Sequence, residues 1–309
     1  MTVSGSFDLN STATELINDA LEYCGKRDLL QTTPAEVSAT CKRTFNYMMK
    51  HWQTRQIGLW LVDDITLFLE YGGTSYDIYS SGDHATTSYV KTEVATAASS
   101  GAFTVVVDSI SGITNGDYVG IQLDDGTLQW TTVNGVPAAA TITPTDALTD
   151  DVAVDNHIYT YTTKAQKPLD IIEARLYLSS DTEYPITVEP RDNYKNLATK
   201  TSSGKCVQLY QDPRIDRMTV YTWPVADSVQ DFIKMSAKRR IDDIDGLTDN
   251  ASFPQEWLLT LSTNLAYWLA PKFSIGTEKF MMIKSLADET LRDLMAFDQE
   301  GTSFTVEPR

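Results

Sequence analysis

Helix-forming patterns lie at the two ends of this chain and strand-forming patterns fill the middle, an order that reads as α+β rather than alternating α/β. Amphipathic helices must cover their apolar faces, so the two ends have to meet in space. At the N-terminal end Thr12 and Glu15 make a T-x-x-E capping box ahead of Leu16, Ile17, Ala20, Leu21 and Cys24, and Gly25 ends the run. A second start has Thr33 as N-cap, Pro34 at the first helical position and Glu36 close behind, followed by Val37, Cys41, Phe45, Met48 and Trp52 on one face. At the C-terminal end Phe253 and Pro254 open a helix bearing Trp257, Leu258, Leu261, Leu265, Trp268 and Leu269, stopped by Ala270 and Pro271. The last helix carries Phe280, Ile283, Ala287, Leu291 and Leu294, with Gly301 past its end. Trp52, Trp60, Trp257 and Trp268 fall in or beside these helices, which fits a common core.

Near residue 61 the alternation of Ile65, Leu67 and Leu69 replaces the helical period. Strand patterns recur at Ile171–Leu178, Ile186–Val188, Cys206–Tyr210, Met218–Trp223 and Phe232–Lys238, and these are expected to form one sheet with residues 65–69. Residues 88–163 differ in character, with Thr, Val, Ala, Gly and Asp prominent and nine acids against the single base Lys91. Strand patterns there cover Phe103–Val107, Tyr118–Leu123, Thr127–Val133 and His157–Tyr161, and Asp125-Gly126 is a hairpin signal. Polar, glycine-rich joints at 71–73 and 80–83 precede this stretch and 162–168 leaves it, as for a domain spliced into a loop. The expected architecture is α+β: a helical core from 1–60 and 251–298, a central antiparallel β region at 61–87 and 164–250, a small inserted acidic β domain at 88–163, and an extended tail at 299–309.

Charge narrows the function. Against 42 Asp and Glu there are 25 Lys and Arg, for a net charge of −17, which argues against gripping nucleic acid by neutralising many phosphates. Cys24, Cys41 and Cys206 are an odd number without CxxC spacing, so a disulfide framework is not expected and a reducing compartment is. The start MTVSGSFDLN lacks a basic and apolar leader pattern, and no apolar run is long enough to span a bilayer.

No catalytic constellation emerges. His51, His84 and His157 are far apart and without metal-ligand spacing, and read as surface or hinge residues. There is no G-x-S-x-G and no P-loop; Gly112, Gly116 and Gly120 fit turns between strands. Asp242, Asp243, Asp245 and Gly246 resemble half of a calcium loop, but Ile241 stands where its first ligand belongs. The pairs Asp124/Asp125 and Asp150/Asp151 read as solvated turn residues. Lys238, Arg239 and Arg240 make the dense basic cluster, beside acids that offset its field, and read as a salt bridge to a neighbouring subunit. Neither a metal nor a cofactor is expected.

Three stretches carry a resemblance: ELINDALEYCGK at 15–26 with TPAE at 33–36, GDYVGIQLDDGTLQWTT at 116–132, and FPQEW at 253–257 continued by NLAYWLAPKF at 264–273. Together they make the chain look like the head-to-tail connector proteins of short-tailed phages, the tail accessory or packaged-DNA-stabilisation family. In the family the Ala-Pro stop usually continues with an acid, an aromatic and a glycine, where this chain has Lys272, Phe273 and Ser274. The resemblance covers nearly the whole chain, and its motif residues here are Thr33, Pro34, Glu36, Phe253, Pro254, Trp257 and Pro271.

What the resemblance implies is a structural virion protein and no enzyme. It would be an adaptor ring of about twelve copies beneath the portal that closes the DNA-filled head, forms part of the DNA channel and docks the tail nozzle and fibres. Assembly would take place in the host cytoplasm, with double-stranded DNA passing through without tight binding. An acidic wall suits such a conduit, because it repels phosphates. The segment after Gly301 alternates polar and apolar residues, which suggests a strand added to the portal or a neighbour through Phe304, Val306, Glu307 and Arg309. The alternatives are a peptidoglycan-acting glycan hydrolase built on paired carboxylates and a glycan- or fibre-binding module in 88–163 with Trp130 and Tyr118 as stacking residues.

Overall fold

The structure is a computed structural model and describes residues 9–27, 32–55, 59–180 and 182–297. Its helices are α1 (Ala13–Tyr23), α2 (Ala35–Gln53), α3 (Arg191–Lys195), α4 (Leu258–Leu269) and α5 (Thr277–Phe297). The chain divides into two compact units, Met1–Leu61 with Ile241–Arg309, and Val62–Arg240. The expected helical core with a small β insert is overturned: the described residues are mostly β, with two curled sheets, and only 26% of them are helical. Strands of two to four residues carry too few side chains to display alternation, so several of them were invisible in the sequence. Among the described residues no helix is long and apolar enough to cross a membrane.

In the helical unit the capping box at Thr12 is formed, with Glu15 N–H donating to Thr12 Oγ1 (3.3 Å) and Thr12 N–H to Glu15 Oε2 (2.8 Å). The next free N–H groups of α1, at Ala13 and Thr14, donate to the carbonyls of Asp249 and Leu247. The start of α2 differs from expectation. Pro34 is itself the cap residue, extended at φ −58° and ψ 145°, so the helix begins at Ala35 and the Thr33 hydroxyl turns instead to Asn18 Oδ1 (3.1 Å). A single-turn 3-10 helix at Gln255–Trp257 leads into α4, and Pro271 follows its C-cap Ala270.

The core of this unit gathers Leu16, Ile17, Leu21, Phe45, Met48, Leu261, Leu265 and Leu269, all buried. Each such side chain contributes about 1.5–3 kcal/mol on leaving water. Trp257 packs at 5.9 Å from Trp52 and 4.9 Å from Trp60, ring centre to ring centre. A strap, residues 241–251, is stitched along α2 by residues one turn apart. Lys42 Nζ donates to Asp245 O (2.6 Å), and Lys50 Nζ donates to Ile241 O (2.6 Å) and pairs with Asp243 (2.7 Å). Between them Asn46 Oδ1 accepts from Ile244 N–H (3.0 Å) while its Nδ2 donates to Ile244 O (3.1 Å). The half calcium loop read from Asp242 to Gly246 is thus a strap fastened by cations.

The β unit holds strands β1 (Val62–Phe68), β2 (Ser75–Ile78), β3 (Ala85–Thr86), β4 (Val90–Thr96), β5 (Val105–Val107), β6 (Tyr118–Gln122), β7 (Leu128–Thr132), β8 (Thr141–Ile142), β9 (His157–Tyr161), β10 (Asp170–Tyr177), β11 (Glu183–Glu189), β12 (Gln208–Pro213), β13 (Met218–Trp223) and β14 (Phe232–Lys238). One sheet runs β2-β13-β12-β11-β10-β14-β1-β3, antiparallel except for the parallel pair β11 and β12. The other runs β7-β6-β9-β4-β5-β8 and is antiparallel throughout. In β14, Ile233, Met235 and Ala237 are buried while Phe232, Lys234, Ser236 and Lys238 are half-exposed, the period of a sheet with one face in the core. The six-stranded sheet encloses its own core of Val94, Val105, Val119, Ile121, Ile142 and Ile158. Its hairpin at Asp125-Gly126 forms as expected, with Gly126 at φ +83° and Asp125 Oδ1 accepting from Thr127 N–H.

Candidate functional site

Two outward faces of the helical unit stand out. α5 is 21 residues long, yet only Ile283 and Ala287 are fully buried. A short polar ladder adds to its hold on α4: Asn264 Nδ2 donates to Ala287 O (3.2 Å), Thr260 Oγ1 to Thr290 O (3.3 Å), and Thr263 and Thr290 share a hydroxyl hydrogen bond (3.0 Å). The opposite face leaves apolar groups in water, with Met281 56%, Met282 69% and Phe297 76% exposed beside Leu286. Interspersed are the acids Glu278, Asp288, Glu289 and Asp293 and the bases Lys279, Lys284 and Arg292, and among the described residues none of the charged side chains of α5 forms an ion pair. α2 shows a contrasting outer face: Arg43, Tyr47 and His51 follow one another at four-residue spacing, with Arg55 just past the helix, and Tyr47 is 59% exposed. Exposed apolar groups clustered in this way are characteristic of interaction surfaces.

The β unit has an aromatic cluster between its two sheets. Phe68 from β1 and Phe232 from β14 meet Tyr89, Tyr159, Tyr161 and Trp130 from the six-stranded side. His84 enters from the joint before β3, stacks on Trp130 at 3.8 Å, and makes a 2.6 Å hydrogen bond from Nδ1 to the Tyr161 hydroxyl. Burial, and secondarily the Lys164 ammonium, push its pKa down to about 3. Lys164 itself donates to Gly82 O and lies 5.1 Å from the Tyr118 ring centre. The joints that read as separable linkers therefore hold a packed contact.

This cluster corrects the stacking reading of Trp130 and Tyr118. One face of the Trp130 indole lies on His84; on the partner strand a Cβ built on Gly120 would fall 2.7 Å from the indole. Tyr118 stacks on Tyr161 at 5.2 Å. Trp130 is thus engaged by the cluster on the His84 side and against Gly120, and Tyr118 has one face on Tyr161.

The paired acids serve turns. Asp124 Oδ1 accepts from Ala153 N–H (2.9 Å) and Asn156 Nδ2 (2.8 Å), and Asp151 Oδ1 accepts from Ser100 N–H (2.8 Å). His157 approaches Glu93 (3.3 Å) and His51 packs near Trp268. Arg239 approaches Asp63 of its own chain (3.7 Å). Among the described residues no group of three or more His, Cys, Asp or Glu is arranged to hold a metal. Burial pushes the thiols of Cys24, Cys41 and Cys206 up to about 11, so they are protonated and unreactive near neutral pH. A shallow cleft of about 650 Å³ opens where β11 turns into α3, lined by Glu189, Arg191, Tyr210 and Asp212.

Of the family-motif residues, Glu36 sits in the first turn of α2 and Phe253 and Trp257 meet the tryptophan core. The structure does not bring Thr33, Pro34 and Glu36 into a site with Phe253, Pro254, Trp257 and Pro271; they begin and end helices. Phe304, Val306, Glu307 and Arg309 lie outside the described residues. The helical period marks the buried sides of α2 and α5; their outer faces carry no periodic apolar signal of their own. No protein-family model matches the chain, and no curated protein matches it.

Proposed function

We propose that this chain is a structural component of a short-tailed phage particle, a head-to-tail adaptor that acts by binding neighbours and not by catalysis. The observation that carries the reading is α5: a long helix held by a narrow apolar stripe, with methionines and a phenylalanine left in water on its outer side. An apolar face of this kind on a soluble unit is accounted for by a partner. The net charge of −17 fits a surface past which DNA slides without being held. On this reading copies of the chain sit beneath the portal, seal the packaged head and give the tail nozzle and fibres a platform.

The test is in vitro completion. Packaged heads lacking the adaptor are challenged with nuclease before and after addition of the purified chain. Protection of the packaged DNA only after addition supports the reading; heads that stay equally sensitive overturn it.

A further inference from the structure

We propose that a second copy of this chain lays its α2 antiparallel along α5, pairing the basic, tyrosine-bearing strip of one helix with the apolar, acidic strip of the other. The inference rests on the assembly reading for its neighbour, and its test separates the two. The outer strip of α5 reads Glu278, Met282, Leu286, Glu289, Asp293 and Phe297, three acids and three apolar residues, with the single base Lys279 at its N-terminal end. That of α2 reads Arg43, Tyr47 and His51, completed by Arg55. Among the described residues neither Arg43 nor Arg55 has an ion-pair partner, so both guanidinium groups are available.

Equal rise per residue fixes the register. With Tyr47 set on Leu286, an antiparallel α2 brings His51 to Met282 and Arg43 to the turn between Glu289 and Asp293, and its C-terminal end, with Arg55 just beyond, runs toward Glu278. Parallel docking in the same register puts Glu278 opposite Ala39 and Asp293 opposite Thr54, leaving two acids without a cation. The antiparallel arrangement also sets opposed helix dipoles side by side. Because different surfaces of the two copies meet, the contact is heterologous and can propagate from copy to copy until a ring closes.

Two variants with one added cysteine each test this, Tyr47→Cys in one chain and Leu286→Cys in another, both at exposed positions. The native thiols are buried and do not compete. Mixed at high concentration under mild oxidation, and again on the portal, the two chains should form a covalent heterodimer that neither forms alone. Adding Arg43→Glu to the first chain should lower the yield about tenfold or more through like-charge apposition, and adding Glu289→Arg to the second should restore it. Equal crosslinking in homotypic samples, no crosslink in the mixture, or indifference to charge reversal overturns the contact. Portal binding without the crosslink removes this contact and leaves the adaptor reading; the crosslink without portal binding does the reverse.

Discussion

The imidazole of His84 lies flat against the indole of Trp130, ring centres 3.8 Å apart and planes within 3°. One residue comes from the joint that leads into the six-stranded sheet and the other from its edge strand β7, so the stack fastens the sheet at its point of entry. It also places a titratable ring among phenylalanine, tyrosine and tryptophan side chains.

That position makes the fold acid-sensitive. His84 is held neutral in the folded protein, its pKa pushed down to about 3, whereas in the unfolded chain it takes up a proton below about 6.5. Stability is therefore fully present above the unfolded value and is lost as pH falls from about 6.5 toward 3, a drain on the order of a few kcal/mol. Urea unfolding of wild type and His84→Phe from pH 7 to pH 4 should show a shallower decline for the variant; parallel declines would assign the effect elsewhere.

Gly120 is needed because the indole of Trp130 crosses it. A Cβ there would stand 2.7–2.8 Å from three indole carbons, so Gly120→Val should cost about 1–3 kcal/mol by overpacking. In Trp130→Ala the same change should cost much less, a non-additivity measured by unfolding of both single variants and the double.

Asn46 satisfies both backbone groups of Ile244. Asn46→Ala leaves a strap N–H and C=O without their partner, a loss of about 1–3 kcal/mol. Hydrogen exchange should show early deuteration of the Ile244 amide, with the β unit unchanged.

Removing residues 88–163 at the joints should not leave an intact remainder. Phe68 is buried by Tyr159, Tyr161 and Trp130, and truncation uncovers it together with Phe232. The shortened chain should bind a hydrophobic dye and aggregate, and Phe68→Ser with Phe232→Ser should reduce both effects, as seen by fluorescence and light scattering.

Features confined to a few neighbouring residues were legible in the sequence. The capping box of Thr12 and Glu15, the Asp125-Gly126 hairpin and the inward stripe of Ile283 and Ala287 each depend on chemistry within a turn or two. Pro34 shifted the start of α2 by one residue, because its extended ψ defers the helix to Ala35. The balance of the fold is not legible, because strands as short as Ala85–Thr86 and Thr141–Ile142 have no period to read and β4 turns a threonine, Thr92, inward beside Val94. His84, Trp130 and Tyr161 are far apart in sequence and meet only once the sheet has curled, so Trp130 looked like an open platform. Tyr47 and Met282 were legible only as what the buried stripe leaves out.

The central claim is that this chain is built to assemble. Purified protein mixed with purified portal, with each alone as control, should yield by size exclusion with light scattering a complex whose mass exceeds the portal by many copies of the chain. A mixture that elutes as the two separate components, with the portal mass unchanged, would contradict the account.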